Sequence, residues 1–361
     1  MKLRLKLPLK RKYHKNIAII PSFSGLIPIW LITTCLTILF SIKSQQVQAQ
    51  DLKYGHWHAA ETNYNPAFAG SSGQPRIILN FRDQWPVMPQ AYVSYRAAFD
   101  AYIEPIRSGL GVYVNQDNQG DGVLQSTDIG MQYMYQARLG YSWALNFGMQ
   151  FSYQQYRLNW LDLQFLDQIN VLYGFNDIFG NPNPTGEPFP GSLTTDFVDL
   201  GAGAVLYSDR LYVGMSAAHV TTPKVSFYNN PSSELPMAFS GQAGIFFGGE
   251  RKDDLVFNPY MLFTTQKGFS QLQTGAYVKK SVVLGGFAVK HNTSNLSDVV
   301  FLAGLSKGML KFAYSYDISV GPLAGLSGGS HEVSLMLTFK DNEGRSKKNS
   351  QKSMLDCPSI L

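Results

Sequence analysis

The sequence predicts an all-β protein, a transmembrane antiparallel β-barrel of about fourteen strands with both termini on the periplasmic side. Three observations predict it. The chain opens on basic, then apolar, then small residues, the order of an export leader. Large apolar residues alternate with small or polar ones in many short runs after it. The connections between those runs are long and short in turn.

The leader comes first. Lys2, Arg4, Lys6, Lys10, Arg11, Lys12 and Lys15 form its basic part, and a mostly apolar stretch spans 26–42. Val47-Gln48-Ala49 is a small-residue site that predicts cleavage before Gln50, so 1–49 reads as a signal peptide. An uncleaved anchor is the rival reading, but Pro28, Thr33, Thr34 and Thr37 interrupt its apolar stretch. A lipoprotein signal acylated at Cys35 is disfavoured by Thr34, where a smaller residue is wanted.

The leader also explains the overall charge of +5. Eight Lys or Arg and no acid lie within 1–49, and the remainder carries 22 basic and 25 acidic residues. The basic balance therefore reports export and not nucleic-acid binding. Charged residues make up only 15 %, against about 25 % in ordinary soluble domains. Aromatics reach 13 % and glycines number 33, a composition suited to strands with one face on an apolar medium. A soluble β-sandwich shares the glycines and the strands. Beyond the leader only Cys357 remains, so no internal disulfide is available.

Fourteen runs read as strands: 75–82, 90–100, 108–116, 123–138, 141–157, 195–208, 210–221, 238–248, 254–266, 270–279, 281–291, 297–306, 308–318 and 331–340. In the fourth, Ile129, Met131, Tyr133 and Tyr135 alternate with Gly130, Gln132, Met134 and Gln136. In the last, Val333, Leu335, Leu337 and Phe339 alternate with Ser334, Met336 and Thr338. A soluble barrel would turn the apolar face inward. The leader and the many tyrosines, which settle at lipid interfaces, favour lipid outside.

The odd-numbered connections, expected outside the cell, are 83–89, 116–122, 158–194, 222–237, 267–269, 292–296 and 319–330. The even-numbered ones include short turns at 138–141, 208–210, 279–281 and 306–308. The barrel then occupies 75–340. The segment 50–74 is expected to plug the lumen or to pack below the barrel, and 341–361 to form a flexible periplasmic tail.

Catalytic patterns are weak. His56 and His58 flank Trp57 without a third ligand at a fitting spacing, which favours interfacial packing. His219, His291 and His331 stand singly near strand ends. Asp253-Asp254 and the pair Asp196 and Asp199 read as turn and strand-end residues. Residues 116–122 resemble a calcium loop in composition but lack a distal glutamate, which favours a solvated hairpin. Neither a nucleophile elbow nor a phosphate loop occurs. The sequence therefore predicts neither an enzyme nor a resident cofactor or metal.

The longest connection is unusual. Between 158 and 173 it is rich in apolar residues, with Leu158, Leu161, Phe165 and Ile169 near helical spacing. Such a helix either folds into the barrel mouth, the favoured reading, or meets another protein. Trp160, Leu161, Phe165, Ile169 and Tyr173 are the candidate partner contacts.

Three motifs carry a resemblance. They are Asn65-Pro66-Ala67-Phe68-Ala69-Gly70, then Arg82-Asp83-Gln84-Trp85, then Gly328-Gly329-Ser330-His331-Glu332-Val333-Ser334-Leu335 opening the last strand. Together they resemble the PorP/SprF family of type IX secretion system outer-membrane proteins. The resemblance implies a bacterial outer-membrane barrel of the Bacteroidota, without catalytic residues. It implies partners too: membrane lipid, a secreted cell-surface protein bearing a type IX C-terminal domain, and periplasmic or other secretion-system components. Asn65, Pro66, Gly70, Arg82, Gln84 and Trp85 would be structural. The expected function is to aid export or surface attachment of a partner, such as an adhesin or gliding component. The alternative is a channel for small or hydrophobic solutes.

Overall fold

The computed structural model describes residues 53–89, 91–228, 233–248, 255–293, 295–321 and 324–339. The leader 1–49 and the tail 341–361 lie outside the described residues. So do Asp253 and Asp254.

Alternation at period two makes the strands. They are β1 (Arg76–Gln84), β2 (Tyr92–Ile103), β3 (Ser108–Gln119), β4 (Leu124–Leu139), β5 (Trp143–Leu158), β6 (Thr194–Ser208), β7 (Leu211–Ala218), β8 (Ala238–Ile245), β9 (Phe247–Gly248), β10 (Val256–Gln266), β11 (Phe269–Lys280), β12 (Val283–Asn292), β13 (Leu296–Lys307), β14 (Leu310–Ser319) and β15 (Ser330–Thr338). β8 and β9 are successive pieces on the same neighbour, β10, so the wall has fourteen positions. Between the pieces, Phe246 turns inward onto Tyr212, 5.9 Å between ring centres.

Every pairing is antiparallel with the next strand in sequence, and β15 pairs with β1 from Ser330↔Gln84 to Thr338↔Arg76. The sheet is therefore a closed barrel. Closure satisfies the backbone without water, which is what a lipid environment demands.

The two faces sort as the alternation requires. On β5, Phe147, Met149, Phe151 and Tyr153 are exposed while Ser152 and Gln154 are buried. On β4, Met131 is 59 % exposed and Gln136 is 0 % exposed. A wall with greasy exposed residues and buried amides is stable only with lipid outside. No helix among the described residues is long and apolar enough to cross a membrane.

The wall is uneven in height. β4 and β5 have 16 residues and β6 has 15, whereas β7 and β8 have 8 each. Crossing takes about 9–11 tilted residues, so β4 to β6 rise beyond the membrane band. β7 stops at Ala218, short of the 221 expected from the sequence. His219 (φ 55°) and Thr222 (φ 41°) adopt left-handed backbone there, which takes the chain out of the ladder.

Candidate functional site: a filled lumen and an outward-turned loop

The segment 53–74 runs inside the barrel. It contains short turns of helix at Trp57–Ala59, α1 (Glu61–Tyr64) and Pro66–Phe68. Tyr54, His56, Trp57, His58, Glu61, Thr62, Asn65, Ala67 and Phe68 are buried.

Its polar groups are met by the inward faces of the strands. Asn65 Nδ2 donates to Met215 O at 3.1 Å and to Gln242 Oε1 at 3.1 Å, and its Oδ1 accepts from Ala67 N at 2.9 Å, capping the short turn. Arg96 donates to Thr62 Oγ1 (2.9 Å) and Asn63 Oδ1 (3.1 Å). Gln132 Nε2 donates to Thr62 O at 2.7 Å. Ser216 and Ser240 both donate to Tyr64 O, at 2.6 and 2.9 Å. Gly55 N donates to Glu332 Oε2 at 2.6 Å, and Gln273 donates to Gly55 O at 2.9 Å. These bonds come from β2, β4, β7, β8, β11 and β15. The segment is stitched to the wall on several sides.

Two charge clusters hold its ends. Arg82 pairs with Asp317 at 2.9 Å and Glu332 at 3.2 Å, and Lys290 reaches Asp317 at 2.7 Å. Arg76 pairs with Asp100 at 2.7 Å, while Gly70 N donates to that carboxylate at 2.6 Å. Arg76 also lies 3.6 Å from Glu61. All these side chains are buried. A buried pair survives only with such added bonds.

Close approach needs glycine. A Cβ on Gly148 would strike Ala67 N, and one on Gly109 would strike the Ala69 carbonyl. The motif 65–70 thus lies directly on the backbones of β3 and β5. Gly70 itself has φ 69°.

The sequence-predicted residues divide. Asn65, Pro66 and Gly70 form the buried turn. Arg82 is the hub of an inward ion cluster, and its Nε also donates to Gln84 Oε1 at 3.4 Å. Trp85 stands at the rim with φ 64°, its N–H donating to Gly329 O at 2.8 Å. His56 and His58 are not interfacial. They pack on Tyr277, with ring centres 5.7 and 4.9 Å away. His219 does not stand alone: Nδ1 lies 2.9 Å from Asp199 Oδ2, and Thr221 donates to the same carboxylate at 3.0 Å. Sequence reasoning missed Asp100, Asp317 and Glu332 as partners of the arginines. The available signal was acid at inward positions of strands otherwise filled with Ser, Gln and Gly.

Above the segment lies a cavity of about 420 Å³. Lys53, Tyr64, Asp117, Asp128, Tyr156 and His219 are among its lining residues. Lys53 and Tyr64 belong to the lumenal segment, and Asp117, Asp128, Tyr156 and His219 lie toward the strand ends next to odd-numbered connections, so this vestibule opens at the long-connection end.

The connection 159–193 differs from its expectation. No α-helix forms. Trp160–Asp162 and Leu166–Gln168 are single 3-10 turns separated by extended chain. Asn and Asp side chains capture the backbone instead. Asn170 Oδ1 accepts from Leu172 N at 2.8 Å, and Asp177 Oδ1 accepts from Phe179 N at 2.8 Å and Asn181 N at 2.9 Å. Asp167 Oδ2 accepts from Gly186 N at 2.6 Å. Asn183 Nδ2 donates to Gln168 O at 2.7 Å. A short helix with no surface to pack on is too marginal to compete.

Trp160 packs against Phe165, tilted at 5.0 Å, and against Phe189, edge to face at 5.4 Å, at the base of the loop. Most of the other apolar residues are exposed and are not packed into the barrel mouth. Leu161 is 90 % exposed and Val171 99 %; Leu172, Ile178 and Phe179 are similar, and Ile169 and Tyr173 are about half exposed. Polar groups knit the interior of this loop and aliphatic groups form its exterior.

Among solved structures the chain is similar to the toluene transporter TbuX of Ralstonia pickettii, at 10 % identity over 78 % of this chain and 94 % of that one, with a TM-score of 0.46. It is similar to the CymD monoaromatic hydrocarbon channel at 11 % identity over 81 % and 95 %, TM-score 0.44. It is also similar to the P. putida toluene transporter TodX at 10 % identity over 77 % and 93 %, TM-score 0.44. No curated protein matches it. The model of one family, type IX secretion system membrane protein PorP/SprF, matches residues 46–337. With a closed β-barrel clad in apolar side chains over 76–338, the chain belongs to the PorP/SprF family and is a protein of the outer membrane.

Proposed function

We propose that this barrel is a non-enzymatic docking protein that aids export or surface attachment of a secreted cell-surface protein bearing a type IX C-terminal domain. Its long-connection end faces outside the cell. One observation carries the reading: the loop 159–193 is ordered by its own polar side chains yet turns its aliphatic residues to water. A patch of that kind is costly unless a partner covers it. The filled lumen supports the same reading, because the segment 53–74 occupies the path a solute would take.

Removing residues 158–173 tests it. The barrel is expected to insert and to keep its heat-shifted mobility on gels, while display of the surface partner is lost. Normal display after that deletion sinks the docking reading. The channel alternative has the vestibule in its favour. Steady conductance or solute uptake by the intact purified barrel in liposomes would establish it.

A further inference from the structure

We propose that the docking surface continues from the loop onto an open edge of β6, and that its occupant is a basic protein segment added there as an extended strand. The proposal rests on the docking reading above and names the chemistry of the partner.

β6 is paired on one side along its length, to β5, from Trp143↔Ser208 to Arg157↔Thr194. On its other side β7 pairs only from Ala202↔Ala217 to Tyr207↔Tyr212. Beyond that, Val220 N donates to Leu200 O at 3.0 Å, and Ser192 N reaches Phe227 O at 3.4 Å. Between these two crossings, among the described residues, no backbone bond meets β6 from that side.

Backbone groups of alternate residues point to the same edge of a strand. Asp196 and Val198 therefore turn their N–H and C=O to the side of the Leu200 carbonyl. The same groups of Thr194 are engaged by Ser192 Oγ, at 3.2 and 2.7 Å. The described residues of the adjoining connection do not bond Asp196 or Val198 from that side. That connection pairs with itself, Val225 N to Ser233 O at 2.8 Å and Lys224↔Glu234, after the left-handed turns at His219 and Thr222. An unpaired edge of this kind is what an added strand recognises.

Charge specifies the occupant. From 158 to 209 the chain holds no lysine, arginine or histidine, while Asp162, Asp167, Asp177, Glu187 and Asp196 are present. None of these five forms an ion pair among the described residues. Exposed Val198 and Leu200 continue the apolar surface of the loop. The matching partner alternates apolar with Lys or Arg residues. Lipid is disfavoured as occupant, since its phosphates share the sign of the patch and it lacks backbone donors. A second copy would set Asp196 against like charge.

The test uses the purified barrel in nanodiscs and two fluorescent peptides, one alternating lysine and valine, the other glutamate and valine. The lysine peptide is expected to bind, more weakly as salt rises, and the glutamate peptide is not. Val198→Pro removes an N–H that faces the gap and spares the β5 ladder. It should keep the heat shift and weaken the lysine peptide about tenfold, the loss of one or two backbone bonds. Glu187→Gln with Asp196→Asn should weaken it about two- to fourfold. Equal binding of both peptides overturns the proposal, as does unchanged binding to Val198→Pro. Loss of the heat shift in Val198→Pro also overturns it, because that N–H would then belong to the wall. Lost partner display on loop deletion, combined with unchanged peptide binding to Val198→Pro, leaves docking standing and removes only the added strand.

Discussion

The lumenal segment 53–74 and the long loop 159–193 are, among the described residues, the two longest stretches without regular strands, and they solve opposite problems. Both are held by side chains that bond backbone. In the lumen, wall side chains such as Gln132, Ser216 and Gln273 bond the segment's backbone, and the segment's own Trp57, Ala67 and Phe68 are buried. In the loop, the bonding side chains come from the loop itself, and the aliphatic residues are left outside. The first region is complete within this chain. The second is ordered but not covered. Order without cover is what the proposed docking role requires, whereas a linker would expose polar groups.

The largest expected effect falls on the lumenal side. Arg82→Ala leaves Glu332 without its cation and Asp317 with Lys290 alone. Breaking a buried pair from one side costs about 3–5 kcal/mol. A lowered urea midpoint of the folded barrel in vesicles would show it. A change under 1 kcal/mol would mean that the cluster is more hydrated than its burial indicates.

Next comes the seat of the motif. Gly148→Leu pushes side-chain atoms into Pro66 and Ala67. Overpacking of this kind costs about 1–3 kcal/mol, and the segment should leave its seat before the wall opens. Protease cleavage within 53–74, together with new conductance in liposomes, is the expected outcome. A sealed and protected barrel would show that the wall flexes instead.

The loop should behave otherwise. Val171→Ser with Leu172→Ser removes exposed apolar area and no native contact. Barrel stability should stay within about 0.5 kcal/mol, while display of the partner falls. A large loss of stability would mean that the loop packs on the barrel after all.

The smallest effect is a local pH response. Hydrogen bonds from Asn181, backbone first and side chain second, hold the Asp177 carboxyl below its ordinary value. A depressed carboxylate supports the folded loop above its unfolded pKa, about 3.9, and loses that support as pH falls through the lower folded value. Amide exchange at Phe179 and Asn181 should therefore quicken as the carboxylate protonates, with lumenal amides unchanged. Equal quickening in both regions would tie the two together.

Much of this was legible in the residues. Period-two alternation placed Leu310–Ser319 and its thirteen companions, because one residue of slip would turn every apolar side chain from lipid to lumen. The motif 65–70 and Arg82 were also visible as special. Their partners were not, since Glu332 lies some 250 positions from Arg82 and only barrel closure makes them neighbours. The apolar spacing of 158–173 misled for a related reason. Helical periodicity is decided by a packing surface, and none is there, so Asn170 and Asp177 set the local geometry.

The sequence by itself determined the alternating strand faces, a strand number near fourteen and the motifs that resemble the family, because each follows from short-range pattern. Only the tertiary structure decided that the lumen is filled, that glycines at 109 and 148 let the 65–70 motif lie against the wall, and that the aliphatic residues of the long loop stay exposed. Those outcomes depend on which distant groups closure brings within hydrogen-bond and contact range, which local pattern does not encode.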